Sequence, residues 1–132
     1  MADKREGFAD AIDRDKVCPL LLRCFWKVGA HHRVEDFAEA NQGIVPMDEV
    51  QIYTWADASL RELTDLIKEV NPAARRRTAR LNFAFVYPDK RGRNVLKEVG
   101  IVYSNRRSDA DDKTLRALRF QTGDFLDVAI FT

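Results

Sequence analysis

The sequence predicts an α+β domain in which a mixed sheet packs on one main helix. Three observations carry that prediction. Residues 59–70, SLRELTDLIKEV, form a capped amphipathic stretch with apolar residues at helical spacing. Segments on both sides of it alternate apolar and polar residues with a period of two, as half-buried strands do. Proline, glycine and clustered charges separate these segments where turns are needed.

Residues 1–16 are polar and read as a flexible or weakly helical tail, leaving 17–132 as a single domain. PLLLRCFWKV (19–28) reads as the first strand, with Leu20, Leu22, Cys24 and Trp26 on one face and Leu21, Arg23, Phe25 and Lys27 on the other. Residues 29–48 make a long connection with a short helical turn near 34–40. In so short a chain a connection of that length suggests an interaction loop. EVQIYTW (49–55) is the second strand: Val50, Ile52 and Thr54 point inward, and Gln51, Tyr53 and Trp55 outward.

The helix opens on Ser59. With Glu62 three residues later this matches a capping box, in which the hydroxyl satisfies a free amide and the carboxylate reaches back to the cap. Leu60, Leu63, Leu66, Ile67 and Val70 form the apolar stripe, and Asn71-Pro72 ends it because the residue before proline avoids helical angles. A basic turn, ARRRTAR, leads to LNFAFVYPDK, a strand with Leu81, Phe83 and Phe85 inward. NVLKEVGIVYS (94–104) is a further strand or hairpin arm, NRRSDADDK a solvated loop, and TLRALRF one short helical turn. GDFLDVAIF (123–131) closes the sheet with Leu126, Val128 and Ile130 inward. Two strands, a helix and two or three more strands is the order of a β-grasp, the helix crossing a sheet whose inward faces are wide enough to cover its stripe.

Twenty-two basic and 21 acidic residues leave a formal charge of +1, which gives no global field toward nucleic acid or membrane. No apolar run approaches the roughly 20 residues of a spanning helix, and the charged opening residues do not match a signal peptide. If CPLLLRC is extended, Cys18 and Cys24 stand about 20 Å apart, too far for a disulfide. Two reduced cysteines suit a nucleus or cytosol.

A catalytic constellation is not legible. His31 and His32 are adjacent in a loop and lack further ligands at metal-binding spacing, so no metal and no cofactor is expected. Ser59 is engaged as a cap, and six scattered glycines form no phosphate cradle. Enzyme activity and a small-molecule substrate are therefore not expected. RNA binding is the alternative. RLNFAFVY (80–87) superficially resembles the base-stacking strand of an RNA-recognition motif, with Arg75, Arg76 and Arg77 nearby, but the leading glycine and the second long helix of that motif are absent. Leu21, Phe25, Tyr53 and Trp55 would project from the face away from the helix. They mark either a partner surface or the seat of loop 29–48 folded back. As a sheet edge, the second strand could also pair with a partner peptide.

Taken together, CPLLLRCF (18–25), HHR (31–33), VPMDEVQIYTWADASLRELTDLIKEVNP (45–72), LNFAFVYPD (81–89), KEVGIVYS (97–104) and DDKTLRALRFQTGDFLDVAIF (111–131) resemble the Sin-three-associated eighteen-kilodalton polypeptide family, with QIYTW and the capped helix as the most specific piece. That resemblance implies a ubiquitin-like β-grasp and a non-enzymatic nuclear adaptor, with speckles and the cytoplasm as further locations. It implies protein partners: the Sin-three histone-deacetylase corepressor, and the apoptosis- and splicing-associated complex with an Acinus or Pinin type peptide and a serine-rich RNA-binding splicing factor. RNA contact would then be indirect. Tyr53 and Trp55 are the leading partner-binding candidates, followed by Phe25, Leu21 and the His31, His32 and Arg33 loop.

Overall fold

The computed structural model describes residues 12–37 and 46–132. They form five strands and one α-helix: β1 (Leu20–Val28), β2 (Glu49–Thr54), α1 (Leu60–Val70), β3 (Arg80–Pro88), β4 (Asn94–Tyr103) and β5 (Phe125–Phe131). The sheet order is β2-β1-β5-β3-β4. β1 pairs parallel with β5, and the remaining neighbours pair antiparallel. The helix crosses between β2 and β3, as the element order predicts, and the arrangement is a ubiquitin-like β-grasp.

The inner face of the sheet is built from the expected parities. Leu22, Cys24 and Ile52 meet Leu81, Phe83, Phe85, Val102, Leu126, Val128 and Ile130 in one buried cluster with Leu60, Leu63 and Ile67 of the helix. Burial holds the Cys24 thiol well above its ordinary range, with Asp127 and Glu49 adding to the effect, so it behaves as a small apolar side chain. Gly100 lies where a Cβ would come within 2.9 Å of both Ala110 and Leu60, so the helix approaches β4 more closely than a side chain would allow. The stripe is narrower than its spacing suggests. Val70 is exposed and Leu66 only partly buried, whereas Thr64 is buried and returns its hydroxyl hydrogen bond to the Leu60 carbonyl at 2.8 Å. The stripe therefore ends a turn early, where the chain leaves for Asn71.

Ser59 caps the helix by accepting from the Glu62 amide at 3.1 Å. The other half of the expected capping box is replaced: both Glu62 carboxylate oxygens bind Arg14. The first helical amides are satisfied from the segment expected to be a solvated loop. The Leu60 and Arg61 amides donate to the carbonyls of Lys113 and Asp111 at 2.9 and 3.0 Å. Asp111 is buried and pairs with Arg61 at 3.2 Å, while the same guanidinium donates to the Tyr103 and Arg106 carbonyls. Helix N-termini leave such donors orphaned, so this loop acts as a second cap.

Residues 12–16 are not a loose tail. Arg14 bridges Asp57 and Glu62, and the Ile12 amide donates to Asp57 at 3.0 Å; residues 1–11 lie outside the described residues. The expected turn near 34–40 is a 3-10 turn at Val34–Phe37, the rest lying outside the described residues. Leu63→Ala should lower stability by about 2–5 kcal/mol, because it empties a fully buried site. Val70→Ala should stay within about 0.5 kcal/mol. Urea unfolding of the two variants checks this contrast.

Candidate partner-binding face and edge

Side chains of alternate residues on β1 and β2 point away from the helix, and Leu21 stands opposite Tyr53 across the ladder. Tyr53 is 66% exposed and Leu21 is 37% exposed. Beside them Arg23 is ion-paired with Glu49 at 2.5 Å. The Arg23 hydrogen bond holds the Glu49 carboxyl below its ordinary range, burial opposing it, and Glu49 in turn holds the guanidinium protonated.

β2 is the outermost strand on its side of the sheet, and among the described residues no strand pairs with its outer side. Its outer row of backbone groups follows from the register. The Trp26 amide donates to the Asp48 carbonyl at 3.0 Å, and this pair continues the register that places Leu20 opposite Thr54. In an antiparallel ladder hydrogen-bonded pairs alternate with unbonded ones. The bonded pairs thus fall at residues 48, 50, 52 and 54, and the amides and carbonyls of Glu49, Gln51 and Tyr53 point outward from the edge. These three residues also carry the outward side chains, so one stretch offers a backbone row and an aromatic ring together.

The other outward candidates are spoken for within the molecule. Phe25 is 0% exposed, which removes it as a partner contact. Loop 29–37 folds back over it, the second of the two outcomes the sequence left open. Phe37 meets Phe25 edge-on at 5.2 Å and stacks on Phe125 at 5.5 Å, and Val86 and Leu96 complete this second cluster. Trp55 is only partly exposed. Its indole N–H donates to the Val17 carbonyl at 2.6 Å, and the Arg14 guanidinium lies 4.9 Å over its ring. The N-terminal segment covers the tryptophan that the sequence offered to a partner.

His31 and His32 both meet Asp127. Their Nδ1 atoms lie 2.7 and 2.6 Å from the two oxygens of Asp127, and the His32 amide donates to the same carboxylate at 3.1 Å. Asp127 is 0% exposed at the middle of β5. A buried carboxylate without partners is costly, and two imidazoles and an amide supply them. The latch continues to β4, where the Asn94 side chain donates to the Phe37 carbonyl at 2.9 Å. Arg33 projects from the loop into solvent, 3.9 Å from Asp36. Asp127 has a signal in the sequence, since an acid within FLDVAIF is the one break in an otherwise apolar strand.

Arg75, Arg76 and Arg77 are exposed, but they precede β3, across the sheet from Tyr53. Phe83 and Phe85, the stacking residues of the RNA alternative, are buried against the helix and cannot receive bases. Among the described residues no group of three or more His, Cys, Asp or Glu side chains is placed to hold a metal ion. Among the described residues the structure thus leaves Tyr53 and Leu21, beside the outer side of β2, as the candidate site.

The Sin3 associated polypeptide p18 (SAP18) family model matches residues 11–130. A histone deacetylase complex subunit SAP18 from Arabidopsis thaliana is 60% identical over 124 residues, spanning 92% of this chain and 80% of that protein. The Homo sapiens protein of the same name is 50% identical over 121 residues, 90% of this chain and 77% of its own. The Drosophila melanogaster protein is 44% identical over 120 residues, 90% of this chain and 78% of its own.

Two outcomes follow from the geometry. Phe25→Ala should destabilise the fold by about 3–5 kcal/mol, whereas Tyr53→Ala should change it by about 0.5 kcal/mol or less, as read by urea unfolding. Burial pushes the Asp57 carboxyl up, but the Ile12 amide and Arg14 outweigh it and hold the group below its ordinary value of 3.8. A group depressed in the folded state contributes stability that is present above the unfolded value and lost as pH falls through the folded one. Asp57→Asn should therefore flatten the loss of stability as pH falls below about 4, measured as the urea midpoint against pH.

Proposed function

The chain belongs to the Sin3 associated polypeptide p18 (SAP18) family, and from that premise we propose that it is a non-catalytic adaptor subunit of a histone deacetylase corepressor complex. It works in the nucleus by holding protein partners together in the service of transcriptional repression. The same docking role extends to a splicing-associated assembly in which an Acinus or Pinin type peptide and a serine-rich RNA-binding factor are the partners. RNA contact is then made by those partners.

The observation that carries the docking mode is the outer side of β2, which no strand among the described residues pairs. An extended peptide adds there as a sixth strand, using the outward amides and carbonyls of Glu49, Gln51 and Tyr53. Main-chain hydrogen bonds supply affinity and tolerate varied sequences. Selectivity comes from the Tyr53 ring, Leu21 and the Arg23–Glu49 pair, which lie beside the added strand. Trp55 and Arg33 contribute at the rim, Trp55 only where the N-terminal segment leaves it uncovered. Phe25, His31 and His32 act indirectly, by holding loop 29–37 off the β2 side of the sheet.

Gln51→Pro combined with Tyr53→Ala tests this. Proline removes an outward amide and leaves the β1 side of the ladder unpaired nowhere, so the domain should keep its circular dichroism and thermal transition. Tagged protein purified from nuclei should lose its stoichiometric deacetylase-complex companions, by roughly ten-fold or more in recovered partner. Undiminished recovery with the double variant would rule out edge docking.

A further inference from the structure

The segment leading into β3 and the segment leaving β4 face each other across an open cavity of about 290 Å³. Arg77 and Thr78 line one wall, and Tyr103, Asn105 and Arg106 the other, with Ala79 between them. Arg75, Arg76, Arg80 and Arg107 stand within a few residues in sequence, all exposed. Arg107 is paired with Asp112 at 3.2 Å, and the Arg75 guanidinium reaches the Glu69 carbonyl at 3.5 Å.

Both walls are held rigid from behind. The Ser104 amide donates to the Ala79 carbonyl at 2.9 Å, and the Ala79 amide to the Arg76 carbonyl at 2.9 Å, which ties one wall to the other. Arg61 reaches from the helix to the carbonyls of Tyr103 and Arg106 at 2.8 and 2.7 Å, and Lys68 to that of Ser104 at 2.9 Å. A site fixed in advance loses little entropy when a ligand enters. Behind the cavity, then, are two buried-side cations spent on the backbone. Its lining includes Arg77, Arg106, Thr78 and Asn105, side chains whose guanidinium, hydroxyl and amide groups are the donors that suit a phosphate.

We propose that this cleft binds the phosphomonoester of a phosphoserine or phosphothreonine side chain on a partner protein. Such a group carries a charge of about −1.5 to −2 and three acceptor oxygens, which match forked guanidinium donors from two directions. A single-stranded RNA would need a track of free rings on which successive bases stack. The rings nearby are taken: Arg106 covers Tyr103 at 3.9 Å and Arg80 covers Phe131 at 4.7 Å. What remains is a compact cationic notch, which fits one dianion better than a chain of nucleotides. The site lies across the sheet from the β2 edge, so a partner strand and a phosphorylated segment could be held together. It stands independently of the edge-docking proposal.

The test is an amide NMR titration of the full chain with three probes: a six-residue glycine–serine peptide bearing one phosphoserine, the same peptide unphosphorylated, and octauridylate. The phosphopeptide should shift the amides of Thr78, Ala79, Asn105 and Arg106 saturably, and the unphosphorylated peptide should leave them in place. Arg77→Gln with Arg106→Gln should weaken phosphopeptide binding at least ten-fold. Lys90→Gln with Arg91→Gln, an equally charged change in the β3–β4 turn, should leave it within two-fold. The exposed Arg77→Gln single variant carries the test if the double variant loses its dispersed spectrum. Equal weakening by both charge pairs would reduce the effect to diffuse attraction and overturn the proposal. Stronger shifts of the same amides by octauridylate would overturn it in favour of nucleic acid.

Discussion

The burial of one helical stripe against the inner face of a five-stranded sheet is the constraint on which the rest of the structure depends. Leu60, Leu63 and Ile67 meet side chains from β1, β2, β3, β4 and β5 in a single cluster. Transfer of each such side chain from water contributes roughly 1.5–3 kcal/mol before conformational entropy is subtracted. Because this contact buries the central inward residues of the sheet, Phe83 and Phe85 among them, those side chains are closed to a partner. The same contact demands that the helix N-terminus sit against the 111–113 segment, whose carbonyls then serve its free amides.

The outer face is divided by a second, smaller device. Asp127 interrupts the apolar run of β5 with a buried charge, and the two histidines that answer it draw loop 29–37 down over β5. Phe37 then closes on Phe25 and Phe125, and its carbonyl is held from β4. Apolar contact supplies the area, while the carboxylate supplies direction, since hydrogen bonds have preferred geometry and dispersion does not. Leu21 and Tyr53 stay exposed beyond it, and among the described residues no strand pairs with the outward backbone of β2. An edge strand left open is ordinarily a hazard for aggregation, and the Glu49–Arg23 pair and Gln51 keep this one short and polar.

At the N-terminal side the same economy applies to Trp55. Its ring is amphipathic, with an N–H that asks for an acceptor when half buried. Val17 provides the acceptor and Arg14 the cation, so residues 12–17 dock where the strand turns into the helix. Arg14 is also the ligand of Asp57 and Glu62, which makes one guanidinium the tie between strand end, helix start and N-terminal segment.

What the sequence by itself determined was everything that depends on near neighbours along the chain. Strand parity placed Leu22, Cys24, Ile52, Phe83 and Val128 inward, Ser59 marked the helix start and Asn71-Pro72 its end, because period, capping and proline sterics act within a few residues. Outward pointing could be read in the same way for Phe25, Tyr53 and Trp55, but exposure could not. Only the tertiary structure decided that Phe25 lies under Phe37 and Trp55 beside Val17 while Tyr53 stays open. Those contacts join residues far apart in sequence, as do His31 with Asp127 and Arg61 with Asp111. A local pattern tells which way a side chain points, but whether anything lies over it depends on how distant segments meet.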